Sequence, residues 1–117
     1  MTRTVLIVDD HPSFRASARA VLESGDYQVV GEAADGAEAL RAFRELTPDV
    51  ILLDVQLPDM EGFDVCDEIE NGGIPPSIVL VSSRDVADYG NLVAASCACG
   101  FLPKAELSCE ALDALLP

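Results

Sequence analysis

The sequence predicts an α/β protein: a doubly wound parallel sheet with helices on both faces. Three observations carry that expectation. Aliphatic runs such as Thr4–Val8, Val50–Leu53 and Ser77–Val81 recur along the chain. They lack the polar alternation of half-exposed strands, so they read as strands buried on both faces. Segments with apolar residues at helical spacing lie between them, which makes the repeating unit a strand followed by a helix. The runs also end in chemistry-bearing residues, most plainly where Val50-Ile51-Leu52-Leu53 runs into Asp54 and a turn marked by Pro58.

The strand–helix unit repeats five times. Thr4-Val5-Leu6-Ile7-Val8 is a buried strand that exits into Asp9-Asp10-His11-Pro12. Pro12 suits the first turn of a helix, and Asp10 is the expected cap. Phe14, Ala18, Val21 and Leu22 form that helix's apolar face, and Gly25-Asp26 ends it. Tyr27–Ala33 is less apolar and is expected at a sheet edge, while Asp35-Gly36 opens a second helix with Ala39, Leu40, Phe43 and Leu46 on one face. Thr47-Pro48 stops it, and the third strand follows, its four aliphatic residues Val50–Leu53 running into Asp54. Phe63–Ile69 is a third helix, broken by Asn71-Gly72-Gly73. Ser77–Val81 is the fourth strand and exits into Ser82-Ser83-Arg84-Asp85. Val86–Ser96 is expected to be a weak helix, since it contains Gly90 and Asn91 and is rich in small residues. Gly100–Pro103 is a short last strand with Lys104 directly after it, and Glu106–Leu116 closes the chain as a helix.

Right-handed crossovers place the helices on both faces. For five such units the common arrangement is the flavodoxin-like (βα)5 sheet, strand order 2-1-3-4-5. That order sets strands one and three side by side, so Asp9, Asp10 and Asp54 converge at one end.

Bulk properties narrow the function. The 117 residues are expected to form one domain, 1–117, with no effector domain in the chain. A net charge of −14 argues against nucleic-acid binding by this chain itself and against anionic membranes. No secretory signal or membrane-length apolar run is present in the sequence, so a cytoplasmic location is expected. Cys66, Cys97, Cys99 and Cys109 form no CxxC, and His11 is the sole histidine, so zinc-ligand spacing is missing. The thiols read as free structural residues.

What remains is the strand-exit cluster. Three carboxylates crowded together repel unless a cation sits among them, and oxygen-only ligands suit Mg²⁺ or Mn²⁺. Ser82 brings a hydroxyl from the fourth strand, and Lys104 a positive charge from the fifth. These are the parts for transferring a phosphoryl group to a carboxylate, with Asp54 as nucleophile.

These residues resemble the receiver domains of two-component response regulators. The resemblance covers essentially the whole chain and rests on Leu6-Ile7-Val8-Asp9-Asp10-His11-Pro12, the stretch Val30–Leu40, the stretch Pro48–Gly62, Val79-Leu80-Val81-Ser82-Ser83 and Gly100-Phe101-Leu102-Pro103-Lys104. The first two blocks look most like the NarL/LuxR-type branch. The resemblance implies that Asp54 is the phosphoacceptor. It makes Asp9 and Asp10 the metal-binding acid pair, with the Gln56 backbone carbonyl completing the Mg²⁺ site. Ser82 and Lys104 then bind phosphoryl oxygens, and Phe101 takes the aromatic switch position. Gln56 and Arg84 flank the phosphoryl site as positions that tune hydrolysis. A histidine kinase is the implied phosphoryl donor, and a homodimer through the face of the fourth helix, fifth strand and fifth helix is the implied assembly. The implied role is a signalling switch and not a turnover enzyme, either stand-alone or attached to a DNA-binding regulator.

Three features depart from the family pattern. Cys97 stands where glycine is usual, which implies either a strained left-handed residue or a helix that ends differently. Ala105 follows Lys104 where many receivers have proline, and the fourth helix is weak. Rival readings fit less well. An aspartate-nucleophile phosphatase needs an acid two residues after the nucleophile, where this chain has Gln56. A flavin carrier needs a Ser/Thr/Gly-rich loop where this chain has Asp9-Asp10-His11-Pro12. A receiver degenerate for phosphorylation is at odds with the intact acid set.

Overall fold

Five parallel strands form the middle layer of the computed structural model, which describes residues 2–72 and 76–117. The elements run β1 (Arg3–Val8), α1 (Pro12–Glu23), β2 (Tyr27–Ala33), α2 (Gly36–Leu46), β3 (Val50–Asp54), α3 (Gly62–Glu70), β4 (Ser77–Ser82), α4 (Leu92–Ala95), β5 (Gly100–Pro103) and α5 (Cys109–Leu115). The sheet order is β2-β1-β3-β4-β5, the flavodoxin-like order expected from the sequence.

The unbroken aliphatic runs are explained by two cores. Successive side chains of a strand point to opposite faces. Val5, Ile7, Val50, Leu52, Val79 and Val81 pack with Ala18, Leu22 and Leu112, under α1 and α5. Leu6, Val8, Ile51, Leu53, Ile78 and Leu80 pack with Ala39, Val65, Cys66 and Ile69, under α2 and α3. Every residue of β3 is buried. Each fully buried Val, Leu or Ile contributes about 1.5–3 kcal/mol relative to exposure, so β3 is anchored from both sides. β2 is an edge strand, and Gln28 on it is exposed.

A long-range hydrogen bond fastens that edge to the last helix: the Tyr27 hydroxyl donates to Asp113. Burial, then the Asp113 hydrogen bond and charge, push the Tyr27 phenol well above its usual range. A raised folded-state value means the stabilisation is complete below the unfolded tyrosine pKa of about 10 and is lost as pH rises past it. The urea midpoint of the parent protein is therefore expected to fall more steeply above that pH than the midpoint of Tyr27→Phe. Parallel curves would refute the linkage.

Several helix ends differ from expectation. His11, not Asp10, caps α1, and no side-chain cap bond forms there. The Asp10 carboxylate lies 3.1 Å from the His11 imidazole instead. α3 starts one residue early, at Gly62, behind a Glu61–Asp64 capping box. Asn71 and Gly72 make the turn after it, and Gly73 of the expected break lies outside the described residues. The weak helix expected over Val86–Ser96 is a 3-10 turn, Val86–Tyr89, followed by the four-residue α4. Gly90, at φ 57°, interrupts the two, and Ser96 bonds back to the Val93 carbonyl. Cys97 is not left-handed: the only non-glycine residue at positive φ among those described is Thr47. The fourth helix thus ends differently, through an extended Ser96. The closing helix begins later than Glu106, because Lys104–Glu106 is a 3-10 turn and Ser108 caps α5 by accepting from the Ala111 N–H.

Candidate functional site

β1 and β3 run side by side with Val8 opposite Leu53, so the next residue on each, Asp9 and Asp54, emerges at the same edge. Ser82 ends β4, paired across from Pro103 of β5, and Lys104 follows directly. The four residues leave the sheet at one edge, and the side chains of Asp9, Asp54 and Lys104 meet there. Asp9 is 0% exposed, Asp54 4% and Ser82 2%. The Lys104 Nζ lies 2.5 Å from Asp9 Oδ2 and 3.1 Å from Asp54 Oδ2. It also rests over the Phe14 ring, 4.7 Å from the centroid.

Two buried carboxylates around one ammonium set the electrostatics. Burial pushes the Asp54 carboxyl up and Asp9's charge adds to it; the Gln56 N–H and Lys104 only partly oppose this, leaving it above the usual range. Burial disfavours the Lys104 charge, but the close Asp9 carboxylate and the field of Asp54 outweigh it, so Lys104 is held above its usual value. Asp54 Oδ1 accepts from the Gln56 N–H at 3.2 Å. Asp9 Oδ1 accepts from the His11 N–H at 2.8 Å and faces His11 Nδ1 at 3.0 Å.

Asp9 Oδ2 is buried and accepts no hydrogen bond of good geometry among the described residues, leaving the Lys104 ion pair as its compensation. That carboxylate oxygen retains capacity for a cation. Asp9, Asp10, His11 and Asp54 each offer a ligand atom, all within 4.8 Å of one another. A mostly carboxylate donor set fits a hard divalent ion such as Mg²⁺ or Mn²⁺. Asp10 and His11 are the exposed members of the set, and Asp9 and Asp54 the buried ones.

The sequence did not single out the groups that hold this cluster in place. Arg15, one turn into α1, donates to the Asp9 carbonyl at 2.6 Å. It is itself paired with Glu32 of β2 at 3.0 Å, and Arg19 binds the other oxygen of Glu32. Burial opposes the Glu32 charge, but these two arginines more than offset it and hold the carboxyl below its usual range. Tyr89 is the second unexpected participant. Its hydroxyl is 2.5 Å from Ser82 Oγ, and its ring lies between Phe63 and Phe101, 6.0 Å from each. One signal was available: Tyr89 is the only aromatic in a segment of small and polar residues. Phe101 is half-buried against the α2–α3 core and touches Tyr89, so it is both core and neighbour of the site. Arg84 contributes its backbone N–H to Ser82 Oγ at 3.0 Å while its side chain is exposed. Gln56 is exposed and pairs with Glu61 in an isolated bridge.

The loop behind Asp54 depends on one close approach. A Cβ on Gly62 would fall 2.4 Å from the Asp54 carbonyl oxygen and 3.1 Å from Val55 Cα. Both are backbone atoms and cannot rotate away. Gly62→Ala is expected to cost about 1–3 kcal/mol in urea denaturation, the usual range for overpacking. An unchanged midpoint would show that the loop adapts.

Comparison with known proteins gives a consistent result. The family model described as response regulator receiver domain matches residues 5–115. The chain is 38% identical over 96% of its length to a Mycobacterium tuberculosis protein named "Probable transcriptional regulatory protein NarL", covering 52% of that protein. It spans about half the length of the first curated relatives it matches. Among solved structures, a LuxR-family two-component response regulator from an Aurantimonas species superposes with TM-score 0.88 and 31% identity, covering 98% of this chain and 85% of that one. The chemotaxis response regulator CheY4 of Vibrio cholerae superposes with TM-score 0.88 and 28% identity, covering 99% and 100%.

Proposed function

The chain belongs to the response regulator receiver domain family, a family of signalling switches phosphorylated on aspartate, and from that premise we propose that Asp54 is its phosphoacceptor. The observation that carries this assignment is the shared ammonium: Lys104 bridges Asp54 and the buried Asp9 at the exit edge of the sheet. An Asp54 carboxylate oxygen attacks the phosphorus of a phosphohistidine on a histidine kinase. The N–P bond breaks, and the kinase imidazole leaves. Asp9, Asp10, Asp54 and the Gln56 carbonyl would hold Mg²⁺ or Mn²⁺, which when bound neutralises phosphoryl oxygens in flight. Lys104 exchanges its contact with Asp54 for a phosphoryl oxygen, and the Ser82 hydroxyl donates to another. Gln56 and Arg84, on the exposed rim, tune the access of hydrolytic water.

The role is that of a switch without a substrate turnover of its own. Exposed Gln56 in place of a general acid supports that over a phosphatase reading. The remaining partners follow from the same premise. The kinase is a two-component histidine kinase, the location is the cytoplasm, and a second copy docks on the face of α4, β5 and α5. Among the described residues no helix is long and apolar enough to cross a membrane. Residues 1–117 act as one receiver unit, and the strong acid excess supports leaving nucleic-acid contact to another domain or protein.

The test is incubation with acetyl phosphate and Mg²⁺, followed by intact mass. One added phosphoryl group is expected, and none with EDTA. An unchanged mass under both conditions overturns the proposal.

A further inference from the structure

Ser82 has a single hydroxyl proton and an oxygen that can accept twice. In the structure its Oγ accepts the Arg84 N–H at 3.0 Å and shares a 2.5 Å hydrogen bond with the Tyr89 hydroxyl. The Asp54 carboxylate is held separately, by the Gln56 N–H and Lys104. Among the described residues Ser82 and Asp54 share no hydrogen bond. The serine expected to meet the phosphoryl group is therefore engaged elsewhere, by a tyrosine from the turn after its own strand.

We propose that Tyr89 is a positioning residue that holds Ser82 in the resting state, so that phosphorylation of Asp54 must break the Ser82–Tyr89 hydrogen bond. This rests on the phosphoacceptor reading of Asp54 and adds a gate to it. Three features fit Tyr89 for that part. Its hydroxyl has Ser82 as its hydrogen-bond partner among the described residues, so losing Ser82 leaves it needing water. Its ring is stacked edge-on with Phe63 of α3 and tilted on Phe101 of β5, so any shift of Tyr89 is felt on both elements. Its backbone is cheap to move. The Val86–Tyr89 turn and α4 contain no buried residue, and Gly90 at φ 57° supplies a hinge directly after it.

The position also supplies what the β5 aromatic lacks. Phe101 has no hydroxyl with which to sense Ser82, and Tyr89 presents one from the middle of the same aromatic row. Release of Tyr89 carries the change toward Val86 and Leu92, the large exposed apolar side chains of this segment.

The test pairs one variant with one observation on the parent protein. Tyr89→Phe keeps the ring and removes the restraint. It is expected to take up phosphoryl from acetyl phosphate with Mg²⁺ about fivefold faster, the scale of one ordinary hydrogen bond. Its Phe101 ring signals by NMR should lie between those of the resting parent and those of the parent bound to beryllofluoride. A merely structural role would lower the thermal midpoint without moving those signals along that line. Equal or slower uptake with resting Phe101 signals overturns the gate. In the parent, beryllofluoride with Mg²⁺ is expected to shift the Tyr89 ring and leave the distant Tyr27 ring unmoved. Bound beryllofluoride with a stationary Tyr89 also overturns the gate, even if the variant folds poorly. Failure of the parent to bind beryllofluoride at all overturns the phosphoacceptor reading and the gate with it.

Discussion

Asp54→Asn protein is expected to remain at its unmodified mass after acetyl phosphate and Mg²⁺, while the parent gains one phosphoryl group. The amide preserves shape, and its oxygen can still accept from the Gln56 N–H at the Oδ1 position. What it loses is the nucleophilic oxygen pair. Uptake should fall to background, since no other carboxylate of the cluster is equivalently placed: Asp9 is fully buried against Lys104, and Asp10 lies at the exposed rim. A second consequence separates this from simple damage. Burial and Asp9 hold the Asp54 carboxyl above its usual range, so the fold disfavours its charge. Protonating Asp54 is then stabilising: the contribution is complete below the unfolded value of about 4 and is lost as pH rises through the raised folded value. Asn mimics the neutral form at every pH. The variant should therefore exceed the parent in urea midpoint at neutral pH in EDTA, and the gap should close on acidification. Full phosphorylation of the variant would place the acceptor elsewhere.

The other large effect is expected at Lys104. Lys104→Ala leaves Asp9 and Asp54 facing each other without a cation. Stripping one partner from a buried charge cluster costs about 3–5 kcal/mol. Nearly all of that loss should appear as a lower urea midpoint in EDTA. Millimolar Mg²⁺ should restore part of it, because a ligand that binds only the folded state stabilises by mass action. The parent should respond less to Mg²⁺, since it already holds an ammonium 2.5 Å from Asp9. A variant as stable as the parent in EDTA, or one indifferent to Mg²⁺, would remove Lys104 from the charge balance of the site.

The strands and the residues at their exits were legible because both depend on local pattern. An apolar run such as Ile51-Leu52-Leu53 has one stable place, between two helical layers. Once the strand order follows from the connections, Asp9, Asp54, Ser82 and Lys104 must leave the sheet at one edge. What was not legible depends on tertiary contact. His11 caps α1 because the Asp9 carboxylate takes its N–H, and the Asp10 carboxylate turns to its ring. The start of α5 moves to Cys109, behind its Ser108 cap, because Lys104–Glu106 turns as a 3-10 segment first. Arg15 lies outside the apolar face of α1 in the sequence, and only the fold brings Glu32 of β2 beside it. Tyr89 was hidden inside a segment assigned as one helix, and only the break at Gly90 frees the turn to reach back to Ser82.

The ammonium that balances the two buried acids belongs to the last strand–helix unit, while Asp9 belongs to the first. Both acids are synthesised, with most of the sheet, before their counter-charge exists. The charge balance of the acid edge therefore depends on the docking of the fifth strand, and without that strand Asp9 and Asp54 would face each other uncompensated.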